Sequence, residues 1–290
     1  MRPPRSIRRD ANAKINVFLR VLSAREDGYH DLESLVVPIS LADRVTVTPD
    51  DALHVETTGV SELAADVPSG GLNLALVAAL ALADACPDAG GARVHIDKRI
   101  PVAAGLGGGS ADAAAALLAL NELWGCELDL GTLAAVAERV GSDVPAMLAG
   151  GAILMSGRGE LLAPAEVPSL WWVVVDLGFG VRSPDAYRWW DEDGEAPGPD
   201  PQPLLDAAAA GDARALGPLL FNDLEAPVVR RHPEIGTAKA RLLAAGSLGA
   251  VMTGSGSAVV ALARDRGHAE GIAGSFESAF VASGPPVEQG

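Results

Sequence analysis

Residues 101–116 read Pro-Val-Ala-Ala-Gly-Leu-Gly-Gly-Gly-Ser-Ala-Asp-Ala-Ala-Ala-Ala, and this stretch decides the fold. Four glycines, Gly105, Gly107, Gly108 and Gly109, run into Ser110 and an alanine-rich segment. Glycine lets backbone approach a ligand closely and take positive φ, which a Cβ penalises. Ser110 is placed to cap a helix over residues 110–124, whose first-turn N–H groups and dipole then make an anion site. Residues 92–96 before the loop read as a strand. Strand, glycine run and helix start together predict a loop that holds phosphate through backbone rather than through lysine.

Two better-known phosphate loops are excluded by their residues. No Gly-Lys-Ser/Thr closes the run, so it is not a Walker A loop. Ser110 stands where a dinucleotide fingerprint needs its third glycine, and residues 130–140 read as a helix where a Rossmann unit needs a strand. The bland alternative is a flexible loop capping a buried helix.

At 290 residues the chain is long enough to bury a large core and to split in two, with a second unit beginning near Gly159. Hydrophobic residues make up 49%, which excludes disorder. A net charge of −16 argues against nucleic acid or an anionic membrane as partner. A polyphosphate must then be held by backbone amides, a cation and a few placed basic groups. Cys86 and Cys126 are too few for a disulfide framework or a cysteine metal site. No apolar stretch follows the N-terminal arginines, so no signal peptide is expected, and no apolar run approaches a membrane span. The expectation is a cytoplasmic protein.

Further along, residues 13–21 and 43–48 read as strands, 72–86 as a buried helix, and 152–155 and 171–177 as strands. Residues 191–203 are acidic and proline-rich, the pattern of a solvated loop. Helices are expected at 204–210, 213–216 and 236–245, and residues 250–262 read as strand, glycine turn, strand. Strands and helices mix without a regular βαβ rhythm, which favours an α+β fold.

With these elements placed, Ala13-Lys14-Ile15-Asn16, the loop at 105–110 and the turn at 253–257 resemble the three motifs of the GHMP kinases. The resemblance runs from about residue 10 to residue 265. It implies a two-domain α+β fold with the active site in the inter-domain cleft: a nucleotide-binding domain over residues 1–158 and a C-terminal kinase domain over 159–290. It also implies ATP and Mg²⁺ as cofactors, a small-molecule alcohol as acceptor, and a monomer or homodimer. Asp27-Gly28-Tyr29-His30-Asp31-Leu32, Ile96-Asp97-Lys98-Arg99-Ile100-Pro101 and Gly141-Ser142-Asp143-Val144-Pro145 narrow it to the branch that phosphorylates the 2-hydroxyl of 4-diphosphocytidyl-2-C-methylerythritol in non-mevalonate isoprenoid synthesis. The alternatives are a homoserine- or mevalonate-type alcohol kinase and a catalytically silent nucleotide sensor. A silent sensor is expected to lack Lys14 or Asp143, and both are present.

The resemblance gives each motif residue a role. Asp143 becomes the carboxylate that takes the acceptor proton, against the alternative that it only caps the helix after it. Lys14, costly in an apolar strand unless paired, is expected to face Asp143 and the transferred phosphoryl group, against a lysine snorkelling from a strand end. Asn16, two residues on and on the same strand face, is placed for the acceptor hydroxyls. The nucleotide falls to Lys98 and to the loop Pro101, Val102, Ala103, Ala104, Gly105, Leu106, Gly107, Gly108, Gly109, Ser110 and Ala111. A cytosine ring would lie between Tyr29 and Tyr187, with His30 at its edge and Ser183 nearby; Tyr187 stands where relatives often carry phenylalanine. Asn73 and the 59–71 loop are candidates for adenine. Asn222 and Asp223 resemble a family signature for which a loop or helix-cap role is expected.

Overall fold

The computed structural model describes residues 6–59 and 73–286; most of the 59–71 loop lies outside them. Cα packing divides the chain into two compact units, each drawn from several segments. The first combines the residues up to Ala13 with Ala42–Val102 and Gly107–Gly150; the second combines Lys14–Leu41, Ala103–Leu106 and the chain from Gly151. The boundaries fall inside two long strands, β1 (Ile7–Ala24) and β2 (His30–Pro49).

In the first unit, β2 pairs antiparallel with β4 (Ala92–Lys98), Arg44 lying opposite Asp97 and Pro49 opposite Ala92. Strand β3 (His54–Gly59) runs parallel to β4 on its other side. Successive side chains of a strand point to opposite faces, and β4 buries Ala92, Val94, Ile96 and Lys98. A lysine thus continues the apolar register. Among the described residues of this unit are the helices α1 (Leu74–Ala85), α2 (Gly108–Trp124), α3 (Leu130–Glu138) and α4 (Val144–Leu148). Asn73 caps α1 by accepting from Ala75 N–H, and α2 ends on Gly125 at φ 68°, a position that favours glycine. Helix α2 packs on α1 and α4. Residues 111–117 of α2 are all buried, as expected of a helix apolar on most faces.

Cys86, just after α1, and Cys126, just after α2, form a disulfide with their Cα atoms 5.6 Å apart. Two cysteines make no framework, but they do tie these helix ends together. Closing a 40-residue separation is worth about 4 kcal/mol in the chain-entropy account.

In the second unit, β2 pairs through residues 32–36 with β5 (Ile153–Gly157), which pairs with β6 (Leu161–Pro164). A separate four-stranded sheet has the order β11-β7-β10-β9, all antiparallel, from β7 (Leu170–Val175), β9 (Gly249–Met252), β10 (Val259–Ala263) and β11 (Ala279–Gly284). The short β8 (Phe221–Asn222) lies parallel to β1, Phe18 facing Phe221. Among the helices are α5 (Ser183–Asp193), α6 (Gln202–Ala209), α7 (Ala213–Leu216), α8 (Glu225–Arg231), α9 (Pro233–Ala244) and α10 (Arg266–Ala273). Helix α9 packs on β9 and β10, and α10 on β7 and β11.

Helix α5 overturns part of the solvated-loop reading of residues 191–203. The helix continues to Asp193 because Ala186 and Trp190, one turn apart, are both buried, and it stops at Gly194 with φ 66°. The acidic residues 191–193 are its last turn.

Candidate functional site

The glycine loop starts α2 earlier than its serine suggests. Gly107, at φ 69°, is the N-cap, Gly108 is the first helical residue, and no side chain caps the end. Ser110 therefore lies inside the first turn instead of capping it. Ala111 N–H is the first to find an intrahelical acceptor, the Gly107 carbonyl at 2.9 Å. The N–H groups of Gly108, Gly109 and Ser110 precede that bond, as the opening donors of any helix do. At the head of a 17-residue helix they form the donor set an anion needs.

Beneath that turn lies Lys98. Its ammonium is 3% exposed, donates to Asp112 Oδ2 at 2.7 Å and is also bonded to Asp43. The other Asp43 oxygen accepts from the backbone of Arg99 and Ile100, at 2.5 and 2.8 Å. A Cβ on Gly108 would come within 3.4 Å of Lys98 Nζ and 3.1 Å of the Ile100 side chain. Two buried carboxylates thus face one ammonium, and Asp112 Oδ1 has no partner. Burial acts to lower the Lys98 pKa, but Asp112 and Asp43 outweigh it and raise it above its ordinary value. Burial pushes Asp112 up to about 7, against the pull of Lys98 and with Asp43 adding to the rise.

Asp143 stands at the N-cap of α4 in the same unit, and its carboxylate makes no capping bond. It holds the cap position without capping through its side chain. Asp143 is half-buried, and among the described residues its carboxylate has no hydrogen bond or ion pair.

The second unit gathers the other two motifs with the middle of the loop. The Lys14 backbone N–H donates to the Leu106 carbonyl at 2.9 Å, and its ammonium donates to Asn16 Oδ1 at 2.6 Å and the Gly105 carbonyl at 3.1 Å. Asn16 N–H donates to Thr253 Oγ1, and Asn16 Nδ2 donates to Ser34 Oγ, each at 2.8 Å. Ala258 N–H reaches the Ala104 carbonyl at 3.1 Å. Gly254, at φ 57°, is close enough that a Cβ there would lie 3.2–3.3 Å from Gly105 O, Asn16 Oδ1 and Lys14 Nζ. Asn222 holds this turn from outside, donating to the carbonyls of Met252 and Gly254 at 2.7 and 2.8 Å. Asp223 accepts from the N–H groups of Val21 in β1 and of Gly198, joining that strand to the segment after α5.

The residues expected at a cytosine ring are arranged differently from a simple sandwich. His30 stacks on Tyr187, ring centres 4.9 Å apart at 25°, and sets its Nε2 against the Asp191 carboxylate at 2.9 Å. Tyr29 is 58% exposed, with the Arg158 guanidinium over its ring at 5.1 Å. Ser183 donates to Ser255 Oγ at 3.2 Å, linking α5 to the 253–257 turn. Among the described residues no cluster of three or more His, Cys, Asp or Glu has the arrangement of a metal cage.

Comparison with known proteins follows these motifs. The model of the GHMP kinases N terminal domain matches residues 73–151, and that of the GHMP kinases C terminal domain matches residues 204–282. The 4-diphosphocytidyl-2-C-methyl-D-erythritol kinase of Moorella thermoacetica is 43% identical over 277 residues, spanning 93% of this chain and 94% of its own. This chain belongs to the GHMP kinases, in the 4-diphosphocytidyl-2-C-methyl-D-erythritol kinase branch. The corresponding kinase of Streptomyces coelicolor is 44% identical over 268 residues, spanning 90% of this chain and 89% of its own. A crystal structure of a 4-(cytidine 5'-diphospho)-2C-methyl-D-erythritol kinase, 38% identical, superposes with a TM-score of 0.83 over 97% of this chain and all of that one. The crystal structure of L. major mevalonate kinase is more distant, 17% identical at a TM-score of 0.74 over 99% of both chains, and shares the fold alone. As a GHMP kinase, this protein is an ATP-dependent kinase.

Several residues of these networks escape a reading of motifs in this GHMP kinase. Asp43 and Asp112 are separated from Lys98 by 55 and 14 residues, though the period-two burial of β4 is a sign that Lys98 points inward. Asp191 was obscured by the proline-rich stretch after it; its position one turn beyond Tyr187 is the signal that locates it. Arg158 carries no motif at all.

Proposed function

We propose that this kinase transfers the γ-phosphoryl group of ATP to the 2-hydroxyl of 4-diphosphocytidyl-2-C-methyl-D-erythritol. The observation that carries the reading is the Lys14 ammonium, hydrogen-bonded to Asn16 Oδ1 at 2.6 Å and to the Gly105 carbonyl at 3.1 Å, beside Gly254, where a Cβ would crowd all three. Phosphoryl transfer is mostly positioning and charge stabilisation. Backbone N–H groups at the start of α2 bind phosphate oxygens; the Lys14 ammonium offsets charge on the transferred group. Asn16 orients the acceptor, and Asp143, its carboxylate unbonded, accepts the hydroxyl proton. Lys98 supports the nucleotide loop from below.

The donors suit Mg²⁺ carried in with ATP. The hard oxygen of Ser110, which makes no capping bond, together with the phosphates fits an ion that takes few protein ligands. Held there, the ion would supply charge neutralisation to the phosphates. No further step needs a protein cage.

His30, Tyr187 and Tyr29 recognise the cytosine: rings supply a stacking face and His30 a hydrogen bond to the base edge. By sequence, residues 1–158 are assigned to the nucleotide-binding domain and 159–290 to the C-terminal kinase domain, although Lys14–Leu41 and Ala103–Leu106 pack with the chain from Gly151. The protein works in the cytoplasm on small molecules, without nucleic acid or membrane partners, as a monomer or homodimer. No helix among the described residues is long and apolar enough to cross a membrane. The test is a panel of alcohols with Mg²⁺-ATP followed by product mass: phosphorylation of the cytidylated polyol supports the reading, and exclusive turnover of homoserine or mevalonate overturns it.

A further inference from the structure

His30 opens β2 and Asp191 lies near the end of α5, yet the imidazole Nε2 stands 2.9 and 3.1 Å from the two carboxylate oxygens. The imidazole is only 9% exposed. Tyr187 covers one face, and Trp190 meets it edge-on at 6.0 Å. Tyr187 and Asp191 are one helical turn apart, so one face of α5 supplies both the stacking ring and the carboxylate.

An ionised carboxylate has lone pairs and no proton to give. Nε2 must therefore carry the hydrogen and donate it. In the neutral imidazole, Nδ1 is then bare and accepts. Among the described residues nothing donates to Nδ1. Cytosine presents an amino donor at the position where uracil presents a carbonyl acceptor. A bare Nδ1 matches the first and opposes the second.

We infer that Asp191 sets the pyrimidine specificity of this kinase by holding His30 in the Nε2–H tautomer, so that Nδ1 offers an acceptor to the base. Asp191 is a positioning residue, acting through His30, and the inference rests on His30 reading the cytosine edge. Orientation and tautomer are fixed together, because the carboxylate meets one nitrogen while Tyr187 limits the ring's tilt. Such a carboxylate behind a histidine is a common device for fixing which nitrogen faces the ligand.

The test compares wild type, Asp191→Asn and Asp191→Glu on the cytidylated substrate and its uridylated analogue, near pH 8, where an ordinary imidazole is neutral. An asparagine amide can donate to a bare Nε2, admitting the tautomer with Nδ1–H, which suits a carbonyl. Wild type should prefer the cytidylated substrate. In Asp191→Asn the cytidine-to-uridine ratio of kcat/KM should fall roughly tenfold, the worth of one directed hydrogen bond. The change should lie in KM for the base-bearing substrate, with kcat and the KM for ATP retained, and Asp191→Glu should restore much of the ratio. Nitrogen-15 spectra of labelled histidine should show Nε2–H for His30 in wild type and the other tautomer in the asparagine variant. A ratio unchanged within about twofold in a folded Asp191→Asn, or Nδ1–H in wild type, overturns the role of Asp191 and leaves base recognition standing. Equal use of both substrates by wild type overturns base recognition itself and this inference with it.

Discussion

Lys98 and Asp112 form an ion pair of 2.7 Å in which neither side chain reaches solvent, at 3% and 6% exposure. Asp43 bonds the same ammonium, so one carboxylate charge is in excess beneath the first turn of α2. With Asp112 pushed up to about 7, foremost by burial, the folded protein binds a proton there that the unfolded chain releases near an ordinary carboxylate value. Stability from this group is therefore greatest at low pH and falls as pH rises from about 4 to about 7. The pH dependence should appear as a loss of unfolding free energy across that interval. Asp112→Asn cannot ionise and should flatten this slope. Urea unfolding at several pH values in both proteins checks it; parallel curves would mean that Asp112 does not titrate in this range.

Asp143 stands at the head of α4, its carboxylate unbonded among the described residues. Asp143→Asn keeps size and loses the ability to take a proton. Turnover should drop about 10²–10⁴-fold, the usual worth of a positioned base. ATP affinity should hold, since the proposed phosphate donors are the backbone N–H groups of α2. Activity within about threefold of wild type would refute the assignment.

The parts of this site that were legible in sequence are those made by neighbouring residues. The run of glycines from Gly105 and the alanines after Ser110 announce a close-approach loop and a buried helix, because both signals are local. The cap was misjudged for a local reason too: Gly107 takes φ 69° without strain, so the helix starts before the serine that looked like its cap. The Asp43–Lys98–Asp112 cluster was hidden because strand pairing and helix packing, not spacing, bring the carboxylates to the lysine. Asp191 was hidden because proline and acid in residues 191–203 outweighed the short apolar face of Ala186 and Trp190. Nor does composition show that both compact units draw on β1 and β2, since a strand reads the same on either side of such a boundary.

Gly107 is the αL start of the turn proposed to hold phosphate. A β-branched residue there is strained by about 1–2 kcal/mol, and its side chain crowds the N–H groups that follow. Gly107→Val should weaken ATP binding more than it weakens the fold. Calorimetry with a folded variant decides this, and an unchanged ATP dissociation constant would remove the loop from nucleotide binding.

Tyr29 and His30 follow Gly28, whose φ of 82° turns the chain sharply into β2. The turn is held by Arg25 N–H donating to the Tyr29 carbonyl at 2.8 Å and by Tyr29 N–H donating to Asp27 Oδ1 at 3.2 Å. The Tyr29 ring is left exposed beside Arg158, available to stack on a base, while His30 sits on Tyr187. Tyr29→Ala should cost about 1–3 kcal/mol of substrate binding through lost stacking. His30→Ala should leave a base-edge group unpaired, on the order of 1–3 kcal/mol, and should release Asp191 from its partner. Neither change should alter ATP affinity, because the first turn of α2 belongs to a different set of contacts. The decisive comparison sets the cytidylated substrate against the same polyol phosphate without its nucleotide. Both variants should lose their advantage on the first and keep wild-type rates on the second. Wild-type enzyme that phosphorylates both substrates equally well would mean that these rings do not read cytosine, and the acceptor would then be a simpler alcohol.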